Sequence, residues 1–247
     1  MGNFIIAVIS AFAASASAAC DRSLLTAATT DLYTSQTNGK LTGTSFANNT
    51  SIKYTENRKA ASIAQGILSH SLTINHNRSQ HDVAQCAAFS EYIVTGSKPY
   101  VIATQLRLDN STNKVAQIDS IVTTTGDWLF NVTGTAYWAA QEKWDMIPEG
   151  KRDSRAVIKA AADAYCDLFN DKTVKVPWGS PCARLEGGMY TGKGQASDRC
   201  DVGVPNGVKL VNRQYVIDEE YGTVDIQMDF AGTAGVGGGL PDSHEFR

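Results

Sequence analysis

The chain has 247 residues, 43% of them hydrophobic and 19% charged, with a net charge of −3 spread without blocks. That much apolar sequence buries one large core or two small ones. The weak, scattered charge excludes the basic footprint of a nucleic-acid binder, and no basic amphipathic helix marks a membrane-surface protein.

The chain opens on "GNFIIAVISAFAASASA", an apolar run ending in small residues with Ala16-Ser17-Ala18 as a cleavage site. This layout predicts a secretory signal peptide over 1–18, although a basic leading region is missing. The run is too short and too rich in Ala and Ser for a membrane helix. Ile6 stands where a myristoylation signal needs Ser or Thr. Five N-x-[ST] sequons follow, at Asn48, Asn49, Asn77, Asn110 and Asn131, and none comes later. They predict a glycan-bearing surface. The five cysteines form no C-x-x-C pair, so disulfides are expected, with one cysteine left over. Cys182–Cys200, closing a Gly-rich loop, is the preferred pair, and the rest of the pairing stays open. The expected location is the secretory pathway, extracellular or lumenal.

Behind Asp21 or Ser23, the apolar residues Leu25, Ala28 and Leu32 predict a helix running through "TTDLYTSQTNGK". A short extended segment, "IKYTEN", centres on Glu56. After "INHNRSQHD" (74–82) come long strands in "EYIVTGSKPYVIATQLRL" and one more in "DNSTNKVAQIDSIVTTT". The aromatic-rich stretch "GDWLFNVTGTAYWAAQEKW" holds three of the four tryptophans.

A second helix follows Asp153 or Ser154, with Val157, Ile158, Ala161, Tyr165, Leu168 and Phe169 as its stripe. Its segment "AADAYCDLFNDK" repeats the Asp, Tyr, Asn and Lys of "TTDLYTSQTNGK" at the same spacings. "CARLEGG" then repeats the glutamate-centred segment at Glu186. "QYVIDEEYGTVDIQMDF" reads as two strands, set against "EYIVTGSKPYVIATQLRL", with Val224, Ile226, Met228 and Phe230 alternating on one face. The predicted organisation is a first copy over 19–130, a connector over 131–151 and a second copy over 152–247. The second copy reaches "LPDSHEFR" without a counterpart to the first copy's last strand, which predicts a missing final strand and an open edge.

This order of helix, acid-bearing segment and long antiparallel strands resembles the NTF2-like fold, also called the SnoaL or ketosteroid-isomerase fold. More specifically, "TENRKAASIAQGIL", "INHNRSQHDVAQC", "GDWLF", "VPWGSPCARLEGGMYTG" and "NRQYVIDEEYG" resemble a family of secreted fungal proteins of unknown function. The resemblance implies an α+β tandem of cone-shaped sheets packed on helices. It further implies kinship with proteins of clusters that make maleidrides, where anhydride-bearing monomers are coupled and cyclised.

Acid–base chemistry in such a cone needs a carboxylate or histidine, a hydrogen-bond donor and an aromatic lining. The densest candidate is "INHNRSQHD". There His76 or Asp82 is the expected base and Arg78 an anion clamp, all three on one strand face if the segment is extended. Tyr54 or Glu56 is the expected donor, and Trp128 and Trp138 a wall over the ligand mouth. Plainer readings stand beside these: a solvated, glycosylated loop at Asn77, Glu56 and Glu186 paired with Arg58 and Arg184, and tryptophans that glue the copies together. No G-x-S-x-G, H-E-x-x-H or other compact metal motif occurs, so no metal or cofactor is expected. The leading function is a cofactor-independent isomerase or cyclase acting on a polyketide- or anhydride-type monomer. The alternatives are a secreted glycoprotein that binds a small apolar molecule unchanged, and an interaction protein. A homodimer or a second protein completes the expected partners, with no nucleic acid and no membrane.

Overall fold

The computed structural model describes residues 20–48, 51–231 and 239–247. The expected signal peptide, the sequon at Asn49 and most of the Gly-rich stretch before Leu240 lie outside them.

Helix α1 (Arg22–Asn38) starts where the Asp21 carboxylate accepts the Leu24 N–H at 2.8 Å, and it stops at Gly39, whose φ of 67° reverses the chain. It packs on a six-stranded sheet of β1 (Lys53–Glu56), β2 (Lys59–Ala60), β3 (His76–Asp82), β4 (Ala87–Val94), β5 (Tyr100–Asp109) and β6 (Lys114–Thr124). The order is β2-β1-β6-β5-β4-β3, with only β1 and β6 parallel. The space between α1 and the sheet is filled by Leu25, Leu32, Tyr92, Ile102, Leu106 and Ile118, all essentially inaccessible.

The second unit begins after the short helix α2 (Val132–Ala139). Ser154 caps α3 (Arg155–Leu168), whose Ile158, Ala162, Tyr165 and Cys166 face inward at helical spacing. The hairpin of β7 (Leu185–Glu186) and β8 (Met189–Tyr190) stands apart as its own sheet, close to α2. Strands β9 (Lys209–Asp218), β10 (Thr223–Ala231) and β11 (Leu240–Phe246) form an antiparallel sheet in the order β11-β10-β9. Their inner face meets α3 through Leu210, Ile217, Val224, Ile226 and Met228. Helices packed on antiparallel-rich sheets make this an α+β protein.

The two main sheets lie face to face. A small apolar patch of Ala87, Phe89, Ala103 and Val216 sits among polar contacts. Gln105 donates to the Gln214 carbonyl at 2.9 Å and to Asp225 at 2.6 Å, and Gln227 donates to the Ala103 and Asp119 carbonyls at 3.0 Å.

Several features of the second unit repeat those of the first. Both short hairpins turn on two residues with positive φ, Asn57 and Arg58 in one and Gly187 and Gly188 in the other, each pair following a glutamate. Asp82 ends β3 and Asp218 ends β9. Four residues after each comes a left-handed residue, Cys86 at 49° and Gly222 at 63°. These shared turns align β9–β10 with β3–β4. The expected alignment of "QYVIDEEYGTVDIQMDF" with β4–β5 is therefore corrected. Strand alternation has a period of two and fits any hairpin, whereas turn conformation fits only one.

Candidate functional site

Strand β11 reads Leu240-Pro-Asp-Ser-His-Glu-Phe246, and alternation divides it between two environments. Ser243 and Glu245 face the first unit: the Ser243 hydroxyl donates to Asp225 at 2.6 Å, and Glu245 receives Arg78 and Gln80. Asp242, His244 and Phe246 face α3. His244 meets three rings edge-on or tilted, with centroids 5.7 Å away at Tyr165, 5.9 Å at Phe169 and 6.0 Å at Phe246. Cys166, the free cysteine, lies on the same helix face and is fully buried.

His244 Nε2 lies 3.0 Å from Asp242 Oδ2. Its Nδ1 is buried and makes no hydrogen bond. Burial works against charge on this ring, yet the Asp242 carboxylate, by charge and hydrogen bonding and with smaller help from the Cys166 and Tyr165 side chains, more than compensates, and His244 is held well above its ordinary value. Burial likewise pulls Asp242 upward, and the adjacent His244 overrides it, so that Asp242 stays below the usual carboxylate range. The result is a histidine–carboxylate pair in an aromatic setting that favours the charged form of the ring. Solvent still reaches 20% of the His244 side chain and 32% of Asp242.

The residues picked out in the sequence fall elsewhere. His76, Arg78 and Asp82 do share one face of β3, as extended alternation predicts, and that face looks onto the second unit. Arg78 is held by Glu245, by Glu142 at 3.0 Å and by Glu91 at 3.3 Å, and its guanidinium lies 3.8 Å above the Trp144 ring. His76 Nε2 is 3.8 Å from the same Glu91. Asp82 is fully buried, bound at 2.6 and 2.7 Å by Arg155 and receiving the Ile217 N–H at 2.9 Å. These three residues join the units.

Tyr54 and Glu56 sit together on β1, with the Tyr54 hydroxyl donating to Glu56 at 2.7 Å and Glu56 also accepting the Ile67 N–H at 2.7 Å. Burial, reinforced by Glu56, pushes the Tyr54 hydroxyl far up. The structure does not bring this pair together with His76 or Asp82. Glu186 does pair with Arg184, at 3.1 Å, while Arg58 reaches across to Asp229. Trp128 is 80% exposed, and Trp138 stacks on Tyr190 at 4.1 Å. Neither tryptophan is among the rings that surround His244.

Both disulfides are formed, Cys182–Cys200 and Cys20–Cys86. The sequons at Asn48, Asn77, Asn110 and Asn131 are all exposed, and Asn131 also caps α2. Among the described residues, no helix is long and apolar enough to cross a membrane, and no group of His, Cys, Asp and Glu is arranged to hold a metal ion.

Reading the sequence missed Asp242 and His244. The signal was the run D-x-H-x-F, which puts an acid, an imidazole and a ring on one strand face. It was passed over because three of the four histidines cluster between 70 and 81.

Residues 151–247, less than half of the chain, match a family model described as a domain of unknown function, DUF8021. The match covers α3, the second hairpin, the three-stranded sheet and therefore the His244 site. No curated protein and no solved structure matches the chain.

Proposed function

We propose that the chain is a secreted, tandem NTF2-like glycoprotein whose second unit handles a small apolar carbonyl compound at His244. The carrying observation is the His244 ring itself. One nitrogen is tied to Asp242, the other is buried without a partner, and three aromatic rings surround it. A buried N–H of a cationic imidazole with only the Cys166 thiol beside the ring is weakly compensated until a stronger acceptor arrives. A ligand carbonyl oxygen supplies that acceptor, and the same N–H stabilises the oxyanion as the neighbouring carbon loses its proton. The repeated hairpins, buried aspartates and left-handed turns support the tandem reading, and the resemblance to ketosteroid-isomerase-like proteins supports the chemistry.

In this reading His244 is the acid partner and Asp242 fixes its orientation and charge. Tyr165, Phe169 and Phe246 exclude water from most of the ring. The proton leaving carbon passes to solvent at the exposed side of Asp242. The substrate class is a polyketide- or anhydride-type monomer, enolised as a prelude to carbon–carbon bond formation. The test is deuterium uptake at the alkyl carbon attached to the ring of a dialkyl maleic anhydride, the vinylogous position whose deprotonation gives the enolate, in heavy water and followed by NMR. Replacing His244 by Gln is expected to slow uptake by about 100-fold or more, the ordinary weight of a positioned acid–base group. Equal rates with wild type and H244Q would remove the proton-transfer reading.

One observation favours binding without turnover. Asp242 Oδ1 accepts the Ser243 N–H at 2.8 Å while Oδ2 serves His244, so the carboxylate nearest the imidazole has both oxygens engaged. Under that second reading, wild type takes up the compound and H244Q does not, and neither catalyses exchange.

A further inference from the structure

Residues Asp127 to Phe130 form a tight turn. The Phe130 N–H donates to the Asp127 carbonyl at 3.2 Å, and Leu129 takes a φ of 49°. The Asp127 carboxylate accepts the Thr124 N–H at 2.8 Å, which anchors the turn on the end of β6. Trp128 stands at the corner and is 80% exposed, more than any other large hydrophobic side chain among the described residues. An indole held out in water on a fixed turn forgoes the burial that an aromatic side chain ordinarily gains.

The turn delivers the chain to Asn131, which opens both the sequon Asn131-Val132-Thr133 and helix α2. Its Oδ1 accepts the Gly134 N–H at 3.0 Å, so the side chain is held as a helix cap. Its Nδ2, the atom that carries an N-linked sugar, makes no hydrogen bond among the described residues. A Cβ on Gly134 would stand 2.9 Å from this Nδ2 and 2.4 Å from the Gly188 carbonyl, and glycine leaves room for both. Glycosylation at Nδ2 therefore keeps the Oδ1 cap intact. Trp128 precedes Asn131 by three positions, at most about 11 Å of extended chain and less across a turn, so its ring is within reach of the first sugar. The other described sequons offer no such ring. Phe46, two residues before Asn48, packs on the first core, and no Phe, Trp or Tyr lies within three positions before Asn77 or Asn110.

We propose that Asn131 carries an N-linked glycan whose first sugar lies on the face of the Trp128 indole. The donor is a polyprenyl diphosphate oligosaccharide of the secretory pathway. The Asn131 nitrogen bonds to the anomeric carbon and gives up one proton, while the bond from that carbon to the diphosphate oxygen breaks and the diphosphate leaves with the electron pair. One face of a pyranose is lined by C–H groups and its hydroxyls project from the rim, so it covers the indole while its polar groups stay in water. Trp128 is then a platform for the chain's own glycan and no wall of a ligand mouth. The glycan rests on the secreted-glycoprotein reading above and is independent of the chemistry at His244.

The test expresses the full chain in a eukaryotic secretory host, behind that host's own export signal. Peptide mass spectrometry reads the occupancy of Asn131, and melting temperature is compared for wild type, Thr133→Ala, Trp128→Ala and the double variant. Thr133 and Trp128 are exposed, so the variants keep the fold. The expected result is an occupied Asn131 and a fall of about 2–4 °C when T133A removes the glycan, the shift that one aromatic contact gives a chain of this length. With Trp128→Ala already in place, the same removal is expected to shift nothing, and Trp128→Phe is expected to restore most of the effect. A bare Asn131 beside glycans at the other sequons would overturn the proposal. So would a glycan whose removal costs the same with and without Trp128. A chain bare at every sequon would take the glycoprotein reading down as well, whereas failed proton transfer at His244 leaves both readouts untouched.

Discussion

Asp82 and Asp218 occupy matching places at the ends of β3 and β9, and each is bound by the first arginine of the other unit's helix. Arg155 of α3 grips Asp82 at 2.6 and 2.7 Å, and Arg22 of α1 grips Asp218 at 2.6 and 3.0 Å. Both carboxylates are fully buried, and each accepts a backbone N–H from the opposite unit, Ile217 for Asp82 and His81 for Asp218. The pattern is reciprocal: each unit supplies an arginine and a backbone N–H to the other's buried aspartate. Arg155→Ala or Arg22→Ala leaves a buried charge without its cation. Each is predicted to destabilise the protein by about 3–5 kcal/mol in urea unfolding, the usual cost of breaking a buried pair from one side. A loss no larger than that of an exposed ion pair would show that the carboxylates are not held as described.

The contact between the sheets also sets the pH response. Around Arg78 stand Glu91, Glu142 and Glu245, with His76 beside Glu91 and Asp225 behind, near His244. Burial raises all three interior acids despite the arginine: Glu91 upward, Asp225 to about 7 and Glu245 to about 8. Between the ordinary carboxylate range and these values, the folded chain binds more protons than the unfolded one. Stability therefore falls as pH rises through that window. His244, held high, adds to the same trend. His81 acts oppositely: burial and Arg22 lower it to about 4, so folding loses support as pH falls from the ordinary histidine range toward 4. Melting temperature is predicted to peak in mildly acidic buffer and to decline toward pH 8, with Glu245→Gln flattening the alkaline limb. A melting temperature that climbs between pH 6 and pH 8 would contradict this.

The two disulfides close loops of different length, with separations of 66 residues for Cys20–Cys86 and 18 for Cys182–Cys200. Chain entropy predicts that losing the longer one costs more, by roughly 1 kcal/mol, with each worth about 2–5 kcal/mol. Paired serine variants, compared by urea denaturation, measure both. Equal costs would point to effects in the folded state that outweigh loop entropy.

Much of the architecture was legible. Helix stripes at Leu25, Ala28 and Leu32 and at Ile158, Tyr165 and Phe169, and the glutamate-centred segments at Glu56 and Glu186, could be read from spacing, whereas Cys182–Cys200 was a preference among open pairings that the structure bears out. What could not be read was which hairpin of one unit corresponds to which of the other. That depended on left-handed turns at Cys86 and Gly222, and a cysteine in that conformation carries no sequence mark. The chemistry was harder still. His76, Arg78 and Asp82 look like an active site in one dimension, because a base, a cation and an acid lie close together. Their partners, Glu91, Glu245 and Arg155, come from distant parts of the chain and engage those charges. The run around Asp242 and His244 carries an acid and a base too, but α3 supplies the rings around them only on folding.

If Asp242 holds His244 in its charged form, removing the carboxylate should release it. Asp242→Asn is predicted to lower the His244 pKa, since the largest influence opposing burial is then gone, and to weaken any ligand that depends on the cationic N–H. The fold should survive, because the amide is close in shape to the acid. Ligand uptake unchanged in D242N would mean that the charge on His244 plays no part in binding.

The most direct measurement is an NMR titration of the imidazole nitrogens in the histidine-labelled chain, with H244Q used to assign His244. The account predicts that this ring stays protonated well above the ordinary histidine range and that its Nδ1 resonance shifts when a small cyclic anhydride or ketone is added. It also predicts that His81 remains neutral until about pH 4. A His244 that loses its proton at or below the ordinary value, or whose nitrogens ignore every carbonyl compound offered, would contradict the claim that the second unit holds a working acid.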